Sequence, residues 1–327
     1  MFSAIYIEEE VRDSVRVQEI LRRFPALPRI SCDRYGEVFN RNAQNFRLQK
    51  KAPALILAKK YGNLVLPSPE GYGFKEGSSY YFSHMLNCLY DCRYCFLQGM
   101  FRSANYVLFV NYEDFASQIE ELIEKQDASS IYYSGYDCDS LAMEPVSKFT
   151  KFFLSLFEKY PESTLEIRTK SMQIRCLNER AAIPNCIVAM SFTSQESSEK
   201  YEHKVASNLK RIQALQKLQG SGWKVALRFE PIIFEHGLLE NYRALFFEIF
   251  SSLDVSQIHS VSIGEFRMPV SFHKNIVRIY PDEELYAREI SISDGVASLK
   301  DTDADVIQQL ETLLFEYIHP EQYYRCA

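Results

Sequence analysis

Long apolar runs are missing from this chain of 327 residues. None approaches the roughly 20 residues that a membrane helix needs, so no membrane association is expected. The first ten residues turn acidic at their end and lack the basic start and apolar centre of a secretory leader. Positive charge is not in excess either: Lys and Arg number 37 against 43 Asp and Glu, a net charge of −6. Nothing therefore draws the whole molecule onto a polyanion, and a nucleic-acid partner would need a local basic surface. Of eight cysteines, Cys32, Cys138, Cys176, Cys186 and Cys326 stand singly, unlike the framework of a secreted disulfide scaffold. A reducing, cytoplasmic setting is the expectation. No G-x-G-x-x-G follows a candidate strand, which leaves a doubly wound nucleotide-binding sheet without its signature.

The other three cysteines fall within eight residues, Cys88-Leu89-Tyr90-Asp91-Cys92-Arg93-Tyr94-Cys95. Thiolates are soft ligands that suit zinc and iron–sulfur clusters, so this spacing points to a metal centre. Three simpler readings stand beside it. His84, four residues earlier, could complete a Cys3His zinc site; Cys92 and Cys95 could form a redox C-x-x-C; or the thiols could be buried apolar filler. One further cluster draws notice. Arg41, Arg47, Lys50, Lys51, Lys59 and Lys60 occur with no acidic residue among them, a candidate phosphate-contacting surface.

The pattern along the chain is α/β. Ile5-Tyr6-Ile7, a helix from Ser14 to Phe24, and strands at Ala54–Leu57 and Leu64–Leu66 lead to a stretch broken by Pro67, Pro69, Gly71, Gly73 and Gly77. From Ser79 onward strands alternate with amphipathic helices. The strands are Tyr80–Met85, Ile131–Tyr133, Leu165–Ile167, Ile187–Met190, Val225–Leu227 and Val261–Ile263; the helices are Glu113–Glu124, Val146–Lys159, Ser207–Leu218 and Glu240–Ser252. Such alternation implies parallel strands with right-handed crossovers, and six strands fit a partial (β/α)6 barrel, too few for a closed (β/α)8 one. The expected organisation is an N-terminal α/β extension (1–77), the partial barrel (78–268) and a C-terminal segment (269–327) whose helix, Asp301 to Ile318, caps the barrel. The cysteine loop then follows the first barrel strand, on the C-terminal side where α/β active sites gather.

C-x3-C-x2-C with an aromatic before the last cysteine resembles the signature of radical S-adenosylmethionine (SAM) enzymes. That resemblance implies a [4Fe–4S] cluster on Cys88, Cys92 and Cys95, with SAM on the iron that has no protein ligand. Further segments narrow the likeness: Cys95-Phe96-Leu97-Gln98, Asp139-Ser140-Leu141-Ala142, Ile5-Tyr6-Ile7-Glu8, and Gly220-Ser221-Gly222 with Pro231-Ile232 after the next strand. Together they resemble the spore photoproduct lyase family, radical SAM enzymes that reverse a methyl-bridged thymine dimer in ultraviolet-damaged DNA. The resemblance implies that Tyr94 lies beside SAM, that Lys170 holds the SAM carboxylate, and that Ser191 contacts SAM. It also implies a DNA or RNA partner and an electron donor such as flavodoxin or ferredoxin.

Four positions depart from the family. Its hydrogen-donor cysteine falls on Tyr136, and its SAM-contacting serine two residues later falls on Cys138, so these two are the candidate catalytic residues, Cys138 also as a SAM contact. A tyrosine that relays hydrogen back to SAM falls on Phe96, which has no hydroxyl; SAM is thus expected to be consumed in each turnover. Glu230 stands where the family usually has a small residue. Alternatives from other classes are a radical SAM enzyme acting on RNA, a peptide or a small molecule, and a zinc-stabilised nucleic-acid binding module without catalysis.

Overall fold

A computed structural model describes residues 2–69, 71–73, 77–125, 129–300 and 304–326. Its main sheet contains the six expected strands, at Ser78–Phe82, Ser130–Ser134, Ser163–Thr169, Cys186–Ser191, Lys224–Ile232 and Ile258–Glu265, paired in parallel in chain order. Two edge strands extend it. Val65–Pro67 pairs antiparallel with the first, and Tyr323–Arg325 pairs parallel with the sixth, so the sheet has eight strands and curls into a half-barrel.

Side chains alternate across a strand, and here the alternation separates two chemistries. Leu165, Ile167, Val188, Met190, Val225, Leu227, Phe229, Val261 and Ile263 join the main core with the outer helices, including Phe149–Phe157, Asn208–Gly220 and Leu238–Ser252. Most of the intervening residues are small or polar, Glu166, Arg168, Ala189, Ala226, Arg228, Ser260 and Ser262, with Ile187 an apolar exception beside Ala189 and Ala226. Glu166, almost fully buried, meets Arg168 Nε at 2.7 Å and Arg228 Nη2 at 2.8 Å. Burial would raise its carboxyl, but the two guanidiniums outweigh that and hold it at about 2. The charged pairs line the concave side because only a paired and hydrogen-bonded charge is tolerated there.

The expected helix Val146–Lys159 is divided. Lys148 adopts φ 51°, in the left-handed region, and separates Glu144–Ser147 from Phe149–Phe157. The buried Glu144 carboxylate accepts from Thr150 N at 3.1 Å and Thr150 Oγ1 at 2.5 Å, satisfying free donors at the second helix's start. At the other end of the chain Ser14 Oγ accepts from Val17 N and caps the helix Val15–Arg23.

The N-terminal sheet runs Arg29–Cys32, Ile5–Glu8, Leu55–Ala58, Tyr106–Phe109 and Met85–Leu86. Two of its strands come from beyond residue 77, while Val65–Pro67 leaves to join the half-barrel, so the sheets part in space at a different place from the chain punctuation. The C-terminal portion is mixed and not purely helical. Arg267–Pro269, Val296–Leu299 and Ile290–Ser293 form an antiparallel sheet beside the helix Val270–Ile279. The expected closing helix is found at Ala304–Leu314, with residues 301–303 outside the described ones; it packs on Leu238–Ser252 and buries Ile307, Leu310 and Leu314 in the outer core. Among the described residues no helix is long and apolar enough to cross a membrane.

Helix Val270–Ile279 instead docks on the short helix Leu97–Met100 that leaves the cysteine loop. The approach is close enough to require glycine: a Cβ on Gly99 would lie 2.1 Å from the Phe272 carbonyl oxygen. Gly99→Ala should therefore force the helices apart and lower stability by about 1–3 kcal/mol. Urea denaturation would measure this, and an unchanged midpoint would show that the contact is not needed.

Candidate functional site

A cavity of about 710 Å³ opens at the C-terminal ends of the barrel strands, and the cysteine loop forms one wall of it. The chain enters the loop through Asn87, which takes φ 71° and whose amide donates to the Ser103 and Asn105 carbonyls, both at 2.7 Å. That left-handed residue, of a type that tolerates it, turns the backbone off the strand Met85–Leu86. Asp91–Cys92 then pairs antiparallel with Glu202–His203. Gln98 donates to Asp91 at 2.9 Å and to the Cys92 carbonyl at 3.0 Å, Lys50 reaches Asp91 at 3.1 Å, and Tyr286 donates to the Arg93 carbonyl. Burial opposes the charge on Asp91, yet Lys50, Gln98 and Arg93 together hold its carboxyl below the ordinary value.

Cys88, Cys92 and Cys95 all line the cavity, and burial pushes each thiol up. Such thiols ionise readily only against bound cationic iron or zinc. The zinc reading with His84 fails on geometry. The His84 ring stacks on Phe149 with centroids 4.3 Å apart, away from the cavity, and burial drops its pKa to about 3. Among the described residues no three His, Cys, Asp or Glu lie close enough to share one ion. A cluster that offers each thiolate its own iron tolerates wider spacing, so three cysteines without a fourth ligand fit it.

Beside the loop, Lys170 follows the third barrel strand and its Nζ lies 3.0 Å from Glu202 Oε1. Glu202 is fully buried, and it also accepts from Tyr94 Oη, from Ser198 Oγ at 3.0 Å, and from Arg211. Burial raises its carboxyl, but Lys170 and Arg211 prevail and hold it at about 2. Asp139 fixes the backbone of this wall, accepting from Lys170 N at 2.6 Å, Thr169 Oγ1 at 2.7 Å and Ala142 N at 2.8 Å. Ser191, ending the fourth strand, lines the same cavity, and its carbonyl accepts from Arg211 Nη1 at 2.6 Å. Lys170, Ser191, Tyr94 and the three cysteines are thus brought together. Glu202, Arg211 and Asp139 are the residues that sequence reasoning passed over or left without a role, and Lys50 is one it placed on an outer basic surface.

The model of the spore photoproduct lyase family matches residues 74–291. The chain belongs to the spore photoproduct lyase family. A spore photoproduct lyase of Geobacillus sp. (strain Y412MC61) is 22% identical over 202 residues, 61% of this chain and 58% of that protein. The match therefore spans somewhat over half the length of that relative. Among solved structures, spore photoproduct lyase complexed with dinucleoside spore photoproduct superposes with a TM-score of 0.84 at 16% identity, covering 99% of both chains. A variant of the lyase with bound AdoMet and dinucleoside spore photoproduct gives 0.83 at 17% identity, covering 100% of this chain and 98% of that one. These superpositions establish the half-barrel fold.

The positions that depart from the spore photoproduct lyase pattern separate in space. Tyr136 enters the cavity with its ring 4.4 Å from Tyr81, 5.3 Å from Tyr72 and 5.8 Å from Phe96. Cys138 borders the cavity but is buried and packs with Met85, Leu108 and Met143 in the core of the N-terminal sheet. Burial and the neighbouring Asp137 and Asp139 push its thiol up. Glu230 lines the floor, accepts from Ser262 Oγ and lies 3.8 Å from Arg168. The basic stretch is not one free patch: Lys50 is turned inward, the exposed Arg47 pairs with Asp282, Lys59 with Glu10 and Asp114, and Lys60 is half-buried near the rings of Phe109 and Phe115. Only Arg41 and Lys51 remain exposed with no ion pair among the described residues.

Because Glu202 joins the loop, Lys170 and the helix Asn208–Gly220, its loss would leave Arg211 as a buried charge without a counter-ion. Glu202→Ala should cost about 3–5 kcal/mol of stability. Denaturant unfolding of the iron-free protein checks it; a wild-type midpoint would mean that Asn208 and the Ser191 carbonyl suffice for Arg211.

Proposed function

We propose that this protein is a radical SAM enzyme of the lyase type that acts on a damaged pyrimidine in DNA. The observation that carries the reading is the convergence of Cys88, Cys92, Cys95, Tyr94, Lys170 and Ser191 on one cavity whose far side is aromatic. The three thiolates would hold a [4Fe–4S] cluster, which supplies the electron for reductive cleavage of SAM. Lys170 presents a cation to the SAM carboxylate, and Ser191 a hydroxyl to a polar group of SAM. Tyr94, fixed by Glu202, forms the wall beside them. Tyr72, Tyr81, Tyr136 and Phe96 offer ring faces on which an extruded base can stack, at a cost of a few kcal/mol for leaving the duplex. Phe96 cannot pass a hydrogen atom, which supports consumption of SAM as a co-substrate. An electron donor of the flavodoxin or ferredoxin kind and a reducing cytoplasm complete the reading. The inward turn of Lys50 and the pairing of Arg47 and Lys59 with carboxylates favour, as a second reading, a short or single-stranded substrate or a small molecule over a long duplex.

The deciding experiment is anaerobic reconstitution with iron and sulfide, followed by measurement of 5′-deoxyadenosine with and without ultraviolet-irradiated DNA or dinucleoside. Wild type should form it and Cys92→Ala should neither load iron nor form it; full iron in Cys92→Ala would defeat the cluster assignment. Stimulation by dinucleoside but not by duplex would select the second reading.

A charge-assisted hydrogen bond contributes about 1.5–3 kcal/mol. Lys170→Met should accordingly weaken SAM binding about tenfold or more with iron content unchanged. Equal affinity by calorimetry would take Lys170 out of the SAM site.

A further inference from the structure

The seventh parallel strand, Tyr323–Arg325, delivers one more thiol to the cavity. Cys326 N donates to the Ile263 carbonyl at 2.8 Å, which continues the pairing with the sixth strand by one residue. Gly264 fixes the direction of the side chain. A Cβ on Gly264 would lie 3.0 Å from Glu230 Cγ and 3.2 Å from Cys326 Cβ, so Cys326 and Glu230 share the space that this glycine leaves on the concave side. Cys326 lines the cavity together with Tyr136, Glu230, Arg168 and Arg267. Tyr136 stands at the position that corresponds to the family's hydrogen-donor cysteine, and Cys138, two residues on, packs with Met85, Leu108 and Met143.

We propose that Cys326, acting beside Tyr136, is the residue that gives a hydrogen atom to the substrate radical in this chain. The proposal rests on the radical SAM reading above. In the step, the Cys326 S–H bond breaks homolytically and a C–H bond forms on the substrate carbon, leaving a thiyl radical on Cys326. One electron from the low-potential flavin or iron–sulfur protein donor and one proton from solvent restore the thiol. Burial, with the Glu230 carboxylate adding to it against Arg168 and Arg267, pushes Cys326 up to about 12, which keeps it in the S–H form that has a hydrogen atom to give. The family's thiol is thereby replaced from a different strand, across the cavity from its usual place.

The test compares wild type, Cys326→Ala, Cys326→Ser, Tyr136→Phe and Cys138→Ala, reconstituted anaerobically and turned over on irradiated thymidine dinucleotide in D2O. Iron per chain and the visible cluster absorption report whether each variant is assembled, and the serine variant keeps the size of the side chain. Wild type should place one solvent deuterium in each product molecule, since a thiol exchanges with solvent. Both Cys326 variants should keep forming 5′-deoxyadenosine while product falls about tenfold or more. Product with wild-type yield and deuterium content from Cys326→Ser overturns the proposal, as does loss of deuterium in Tyr136→Phe or Cys138→Ala alone. Absence of 5′-deoxyadenosine from wild type instead defeats the radical reading and this proposal with it, which separates the two failures.

Discussion

The buried carboxylate of Glu202 is the constraint on which the site depends. It receives Lys170 from just beyond the third barrel strand, Arg211 from an outer helix and Tyr94 from the cysteine loop, while its own backbone pairs with Cys92. A lone carboxylate in that position would be costly, and a lone Arg211 equally so. Each is tolerated because the others are in place, so the loop, the strand end and the helix must assemble together. This couples the geometry of the cysteine loop to the packing of the barrel. Loop residues with no such anchor would be free to move, and three thiols held only by chain connectivity would lose their common direction.

A second set of buried charges runs below the first. Glu166 joins Arg168 on its own strand and Arg228 on the fifth strand, across the fourth, Arg168 reaches the Tyr72 carbonyl at 3.1 Å and Tyr324 Oη at 3.3 Å, and Glu230 ends the series at the cavity floor. These side chains occupy the inward positions that Val, Ile or Leu fill in a closed barrel. An open half-barrel leaves its concave side reachable by ligand, and a polar ladder keeps that side filled without closing it. The cavity consequently has two characters, charged where Arg168, Glu230 and Arg267 lie and aromatic where Tyr72, Tyr81, Tyr136 and Phe96 meet.

The six barrel strands and the cysteine loop were legible because hydrophobic periodicity and ligand spacing are local properties. Lys170 and Ser191 became legible only through family resemblance, since one lysine or serine at a strand end carries no pattern of its own. Glu202 was illegible for another reason. Its strand has two residues, and its meaning arises from partners at positions 94, 170 and 211. In the basic stretch charge counting sees sign and not direction: Lys50 points into the protein to meet Asp91, which stands 41 residues later in sequence. Tyr106–Phe109 was missed because it follows the cysteine loop and joins a different sheet from the strands around it.

The C-terminal portion shows how far the site is from being a local motif. Tyr280 donates to Gln98 at 3.0 Å, Tyr286 reaches the Arg93 carbonyl, and Phe272 approaches Gly99, all across more than 170 residues of chain. The strand that follows, Tyr323–Arg325, lengthens the half-barrel on the side opposite the first strand and brings Cys326 to the floor. Contacts of such sequence separation form late and slowly, because loop closure must precede their stabilising return. The cavity is therefore completed only by contacts that span most of the chain. Without those contacts the outer side of the cysteine loop would be open to solvent, whereas with them the helix Val270–Ile279 and Tyr286 cover that side. Shielding of an oxygen-sensitive group thus depends on the same segment that, on the other edge of the sheet, supplies the extra thiol.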